Sequence, residues 1–102
     1  MQGISIKYLQ EYIKSKNIDL SKSEAFLKLS EEVGELAKVM LSDPDVATET
    51  SLKGTVEEEI YDIICACLIV ANCYDIDVEK WIPIKEKINN EKYNNSVVFN
   101  PH

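Results

Sequence analysis

The segment from Thr55 to Tyr74 constrains the fold more than any other. Thr55 with Glu58 three residues later has the spacing of a capping box. Glu57, Glu58 and Glu59 then fall in a first helical turn, where the macrodipole favours negative charge. From Ile63 to Ala71 the chain is apolar without a break. A helix that is apolar nearly all round must be covered on several sides, so the segment predicts a buried central helix in an all-α bundle. The run is far short of the ~20 residues that a membrane-crossing helix needs. Only 3 Gly and 3 Pro in 102 residues leave few turn signals for an all-β chain. No Gly-rich turn follows a strand, which excludes P-loop and Rossmann readings.

Three further helices and one long loop complete the reading, as a single domain over residues 1–102. Ile4, Tyr8, Leu9, Tyr12 and Ile13 recur at helical spacing and predict a first amphipathic helix ending near Lys16 and Asn17. Ser21 with Glu24 is a second capping-box pattern. It opens a helix to about Leu41 whose apolar stripe is Phe26, Leu29, Val33, Leu36, Ala37 and Met40. Ser42 to Gly54, with Pro44, two aspartates and several Ser and Thr, has the length of a lid or binding loop. In the last helix Asp77 can act as the cap, and Pro83 predicts either a kink or a late start. Residues 94–102 read as a loose tail.

With 11 basic and 18 acidic side chains the net charge is −7, which disfavours a nucleic-acid polymer as partner. Cys65, Cys67 and Cys73 all fall in the apolar segment, without zinc-site spacing to His102, and read as small core hydrophobes. Met1 to Ile6 lacks the basic-then-apolar pattern of a signal peptide, so the expected location is the cytoplasm, with no membrane association.

The chemistry must come from carboxylates. On the second helix Glu32 and Glu35 lie about 60° apart and flank the apolar stripe, whereas Glu31 points more nearly away from it. On the third, Glu59 and Asp62 share a stripe with Ala66, Ile69 and Cys73, the inward face. Asp62 is the anomaly there: a lone ionised carboxylate in such a stripe must pair, take up a proton or bind a metal. Either acidic group alone suits solvated surface. Together, on antiparallel neighbours and with no Lys or Arg inside either motif, they can converge between helices. Oxygen donors without Cys or His suit Mg²⁺ or Mn²⁺. Lys85, Asn89 and Lys92 line one face of the fourth helix, as an anionic ligand requires.

Leu29-Ser-Glu-Glu-Val-Gly-Glu-Leu-Ala37, followed after the loop by Glu58-Glu-Ile-Tyr-Asp62, resembles the paired EExxE and ExxD signature of MazG-type nucleotide pyrophosphohydrolases. Asp75 to Glu79 and the Lys85, Asn89, Lys92 spacing are similar to that family's fourth helix, and the likeness spans roughly residues 20–93. Lys92 stands where the family often has arginine. The resemblance implies an all-α, four-helix MazG-like bundle completed by dimerisation, as a homodimer or a dimer of dimers. It also implies Mg²⁺-dependent cleavage of a nucleoside triphosphate to the monophosphate and pyrophosphate. Glu32, Glu35, Glu59 and Asp62 match the metal ligands. Glu31 fills the leading glutamate, Glu31 or Glu35 takes the proton from water, and Lys85, Asn89 and Lys92 match phosphate-binding positions. The competing class is a noncatalytic helical oligomerisation or interaction module whose carboxylates are only solvated.

Base recognition needs an apolar wall, for which Tyr8, Tyr12, Phe26, Trp81 and the loop are candidates. Phe26 and Trp81 are expected in the core rather than in a pocket. The loop lacks large aromatics and has only Lys53 as a cation, so it is expected to gate access rather than read the base, leaving discrimination among bases loose.

Overall fold

In the computed structural model, residues 3–93 and 97–100 are described. They form four helices, α1 (Ile6–Ser15), α2 (Lys22–Leu41), α3 (Val56–Cys73) and α4 (Val78–Tyr93). No strand occurs among them, and the only strand-like pairing is an isolated bridge between Thr48 and Ser51. The helix starts follow the sequence signals closely. Ser21 and Glu24 close a full capping box on α2. Thr55 caps α3 by accepting from the Glu58 amide at 3.2 Å, but the Glu58 carboxylate reaches back to the Gly54 amide instead of the cap's own, so this box is only half formed. α1 begins later than its apolar periodicity suggests, with Ser5 as its cap and Ile4 outside the helix and exposed.

Three helices end without glycine. Asn17, Asp43 and Asp75 each adopt a positive φ, near 55°, just past α1, α2 and α3. Their short polar side chains make this left-handed geometry tolerable. After α3 the amides of Asp75 and Ile76 bond back to the carbonyls of Asn72 and Ala71, a Schellman closure that turns the chain sharply into α4.

α3 is the central element, packed against both α2 and α1, while α4 packs against α1. The core joins Ile13, Ala25, Leu68 and Ile69, with Leu9, Leu20, Cys65, Val70, Cys73 and Val78 packed against it. A buried amide fixes the α1–α4 side. Gln10 donates to Asn72 Oδ1 at 2.9 Å and to the Ile76 carbonyl at 2.6 Å, and accepts from the Val78 amide at 3.3 Å. Glu79 accepts from the Lys7 amide at 2.8 Å, so α4 supplies the anion that the first turn of α1 lacks.

Several expectations are corrected. Phe26 and Trp81 are not core residues but stand 62% and 51% exposed. Of the α2 stripe only Leu29 and Leu36 are half-buried, while Phe26, Val33, Ala37 and Met40 are exposed, because α3 covers just one flank of α2. Cys67 is exposed and Cys65 and Cys73 only half-buried, all three free thiols, since the apolar run of α3 has faces that no helix of this chain covers. Pro83 does not delay α4, which runs through it. Of the residues read as a tail, 94–96 and 101–102 lie outside the described residues.

Candidate metal centre

The two acidic motifs meet where α2 and α3 pack. Glu32 on α2 and Glu59 and Asp62 on α3 bring one carboxylate oxygen each to within 4.8 Å of one another. The i, i+3 spacing on α3 puts Glu59 and Asp62 one above the other, facing α2. Asp62 was the residue marked as anomalous by sequence, yet Glu59 is the more buried of the two, with Glu32 and Asp62 half-buried.

Glu59 is the group under most strain among these carboxylates, the one whose carboxyl is held above its ordinary value. Its Oε2 is buried and has no hydrogen-bond partner. Burial chiefly, then the charges of Glu32 and Asp62, a hydrogen bond to Glu32 and the charge of Glu35, hold its carboxyl above the ordinary value of 4.5. No cation relieves it: the salt bridges among the described residues, Lys7–Asp77 and Lys14–Asp75, lie on the α1–α4 side. A buried, unpaired carboxylate beside two others is expensive unless protonated or bound to a cation. The donor set is oxygen only, which fits Mg²⁺ or Mn²⁺. The residues present therefore fit a hard divalent ion, with the orphaned Oε2 as a ready ligand atom.

The other candidates fall in different places. Glu35 is exposed and outside the three-residue group, though its charge acts on Glu59. Glu31 is exposed on α2. Lys85 and Lys92 are exposed and Asn89 half-buried on α4, with Lys92 lying over the Tyr93 ring at 5.3 Å. No ion pair or hydrogen bond among the described residues joins them to the carboxylates. Tyr61 precedes Asp62 on α3 and is exposed. Its bond to Cys65, one turn on, is the main reason its hydroxyl is held above the usual phenol range, with the Asp62 charge adding to it. The i, i+4 spacing puts Tyr61 and Cys65 on one face of the helix.

An all-α arrangement with carboxylates gathered between two antiparallel helices defines a class of helical proteins built around an acidic, cation-seeking centre. No family model matches the chain, and no curated protein matches it. Two solved structures do: crystal structures of iMazG from Vibrio DAT 722. The Ntag form is 34% identical with a TM-score of 0.73, covering 90% of this chain and 100% of that one. The Ctag form is 33% identical with a TM-score of 0.70, covering 85% and 99%. The chain belongs to the MazG-like family.

Proposed function

We propose that the chain is a Mg²⁺-dependent nucleoside triphosphate pyrophosphohydrolase that converts a (d)NTP and water to the (d)NMP and pyrophosphate. The observation that carries this reading is the buried Glu59 carboxylate, whose Oε2 has no hydrogen-bond partner, set against Glu32 and Asp62. Such a group is costly unless the protein uses it. Membership of the MazG-like family supports the same reaction.

Glu32, Glu59 and Asp62 hold the metal, with Glu35 as the fourth carboxylate beside them. A bound Mg²⁺ screens the phosphate charge and makes the attacking water more acidic. Glu35, whose charge acts on Glu59, or Glu31 accepts the proton from water. Glu31, one residue before Glu32, orients water. Lys85 and Lys92 neutralise the phosphate oxygens, and the Asn89 amide donates to them.

Those groups sit on α4, which packs against α1 and is joined to the carboxylates by no hydrogen bond or ion pair among the described residues, so we infer that a second copy brings them to the site. The surface of the chain supports this. Its accessible area is 8346 Å², against about 5,800 Å² for a compact monomer of this mass. Its radius of gyration is 16.1 Å, where about 13 Å is usual for this length. The excess area is on the order of 2,500 Å² per chain, at the upper end of what each subunit of an obligate homodimer buries, about 1,000–2,500 Å² once the interface total is halved. Phe26, Val33 and Met40 on α2 and Ile60 and Ile64 on α3 are the exposed apolar residues that a partner would cover. We infer a homodimer or a dimer of dimers, acting as one domain per chain, in which α4 of one copy can approach the carboxylates of another.

The test is product analysis of purified protein with Mg²⁺ and a panel of (d)NTPs. Pyrophosphate and monophosphate in equal amounts are expected. Release of inorganic phosphate, or no turnover of any triphosphate, would refute the reading.

A further inference from the structure

Three consecutive glutamates open α3, and they do different things. Glu59 joins the carboxylate cluster. Glu57 and Glu58 reach the 42–54 loop. Glu57 Oε2 accepts from the Ala47 amide at 3.3 Å, and Glu58 Oε1 accepts from the Gly54 amide at 2.9 Å. Between these anchors the chain doubles back, Thr48 and Ser51 exchanging both backbone hydrogen bonds at 3.1 Å. Of the loop's residues only Pro44 and Ala47 are even half-buried. Little apolar contact therefore fixes the loop, and its placement depends on the glutamate–amide bonds. Because these bonds lie at the surface they are weak and readily reversed. The macrodipole alone favours acids in a first turn, but it does not require Glu57 to bond an amide ten residues back in the chain.

We infer that Glu57 and Glu58 form a clasp that holds the 42–54 loop against the first turn of α3, the turn that also carries Glu59, with Glu57 the positioning residue that sets how often the loop opens to admit a phosphate-bearing ligand. The clasp's role in admission rests on the nucleotide reading above; the clasp itself does not. Gly54, held by Glu58 at φ 82°, serves as the hinge at one end.

Limited proteolysis reads the clasp directly. Glu49 and Lys53 are cleavage points inside the loop, and cutting after Lys53 requires the very Gly54 amide that Glu58 holds. In the full chain without ligand, Glu57→Ala is expected to speed cleavage after Glu49 about fivefold, the order set by losing one exposed hydrogen bond, and to change cleavage after Lys53 less, because Glu58 still holds the Gly54 amide. The melting temperature should stay that of the wild type. Glu57→Gln keeps an acceptor oxygen and should restore most of the protection. In turnover, Glu57→Ala, whose loop opens more often, should lower KM for every triphosphate by a similar factor, with kcat and the Mg²⁺-induced rise in melting temperature unchanged. Wild-type cleavage rates in Glu57→Ala would overturn the clasp. Faster cleavage with unchanged KM would overturn its role in admission. A wild type that hydrolyses no triphosphate sinks the nucleotide reading instead, and the cleavage rates still decide the clasp.

Discussion

Glu59 is where the physics of the site concentrates, and its titration has a definite sign. In the folded chain its carboxyl is held above the ordinary 4.5, by burial first and by Glu32 and Asp62 next. The folded state therefore keeps a proton that the unfolded chain has already released. Without metal, stability should fall as pH rises from the ordinary glutamate value through the raised one, and level off beyond it. Thermal melts across that range, with and without Mg²⁺, check this, and saturating Mg²⁺ should abolish the decline because metal replaces the proton. Glu59→Gln should melt higher than the wild type at neutral pH without metal, and should lose the Mg²⁺ response. Asp62→Asn should respond to Mg²⁺ or Mn²⁺ much less than the wild type. Equal responses in wild type and Asp62→Asn would favour the noncatalytic module. Sequence periodicity was enough to set Glu59 and Asp62 on the inward face, because i, i+3 spacing is geometry. It could not rank them, since which carboxylate loses water depends on how close α2 approaches.

At the level of elements, capping chemistry was the most legible part of the chain. Ser21 and Glu24 satisfy each other's backbone amides at 3.1 and 3.0 Å, and Ser21→Ala should cost about 1 kcal/mol of stability by denaturant titration. Thr55 and Glu58 carried the same spacing, yet Glu58 serves the loop, because Gly54 presents its amide first and the Thr55 amide bonds the Leu52 carbonyl. Pro83 is the sixth residue of α4, where it can neither donate nor leave room for the carbonyl of Glu79. Pro83→Ala should therefore stabilise the chain by up to about 3 kcal/mol, seen as a higher denaturant midpoint with an unchanged slope. The left-handed ends at Asn17, Asp43 and Asp75 were visible as residue types but not as stops, since aspartate and asparagine are equally at home in caps and loops. The buried role of Gln10 was not legible at all, because it depends on the Asn72 side chain and the turn at Ile76 arriving from 62 and 66 residues away.

Across the whole molecule the four-helix, all-α architecture was readable from the sequence, and the surface it leaves open was not. Stripe residues such as Phe26 and Val33 look like core in a one-chain reading because periodicity reports which face is apolar, not which molecule covers it. Exposed apolar area of this extent predicts self-association, and sedimentation at micromolar concentration should give a dimer or tetramer; a monodisperse monomer would contradict the assembly. The central claim is that the carboxylates between α2 and α3 direct water at the α-phosphorus of a nucleoside triphosphate. Hydrolysis in heavy-oxygen water with Mg²⁺, followed by mass analysis of both products, tests it most directly. The label should appear in the nucleoside monophosphate alone and turnover should vanish in Asp62→Asn. Label in pyrophosphate or in inorganic phosphate, or undiminished turnover in that variant, would contradict the account.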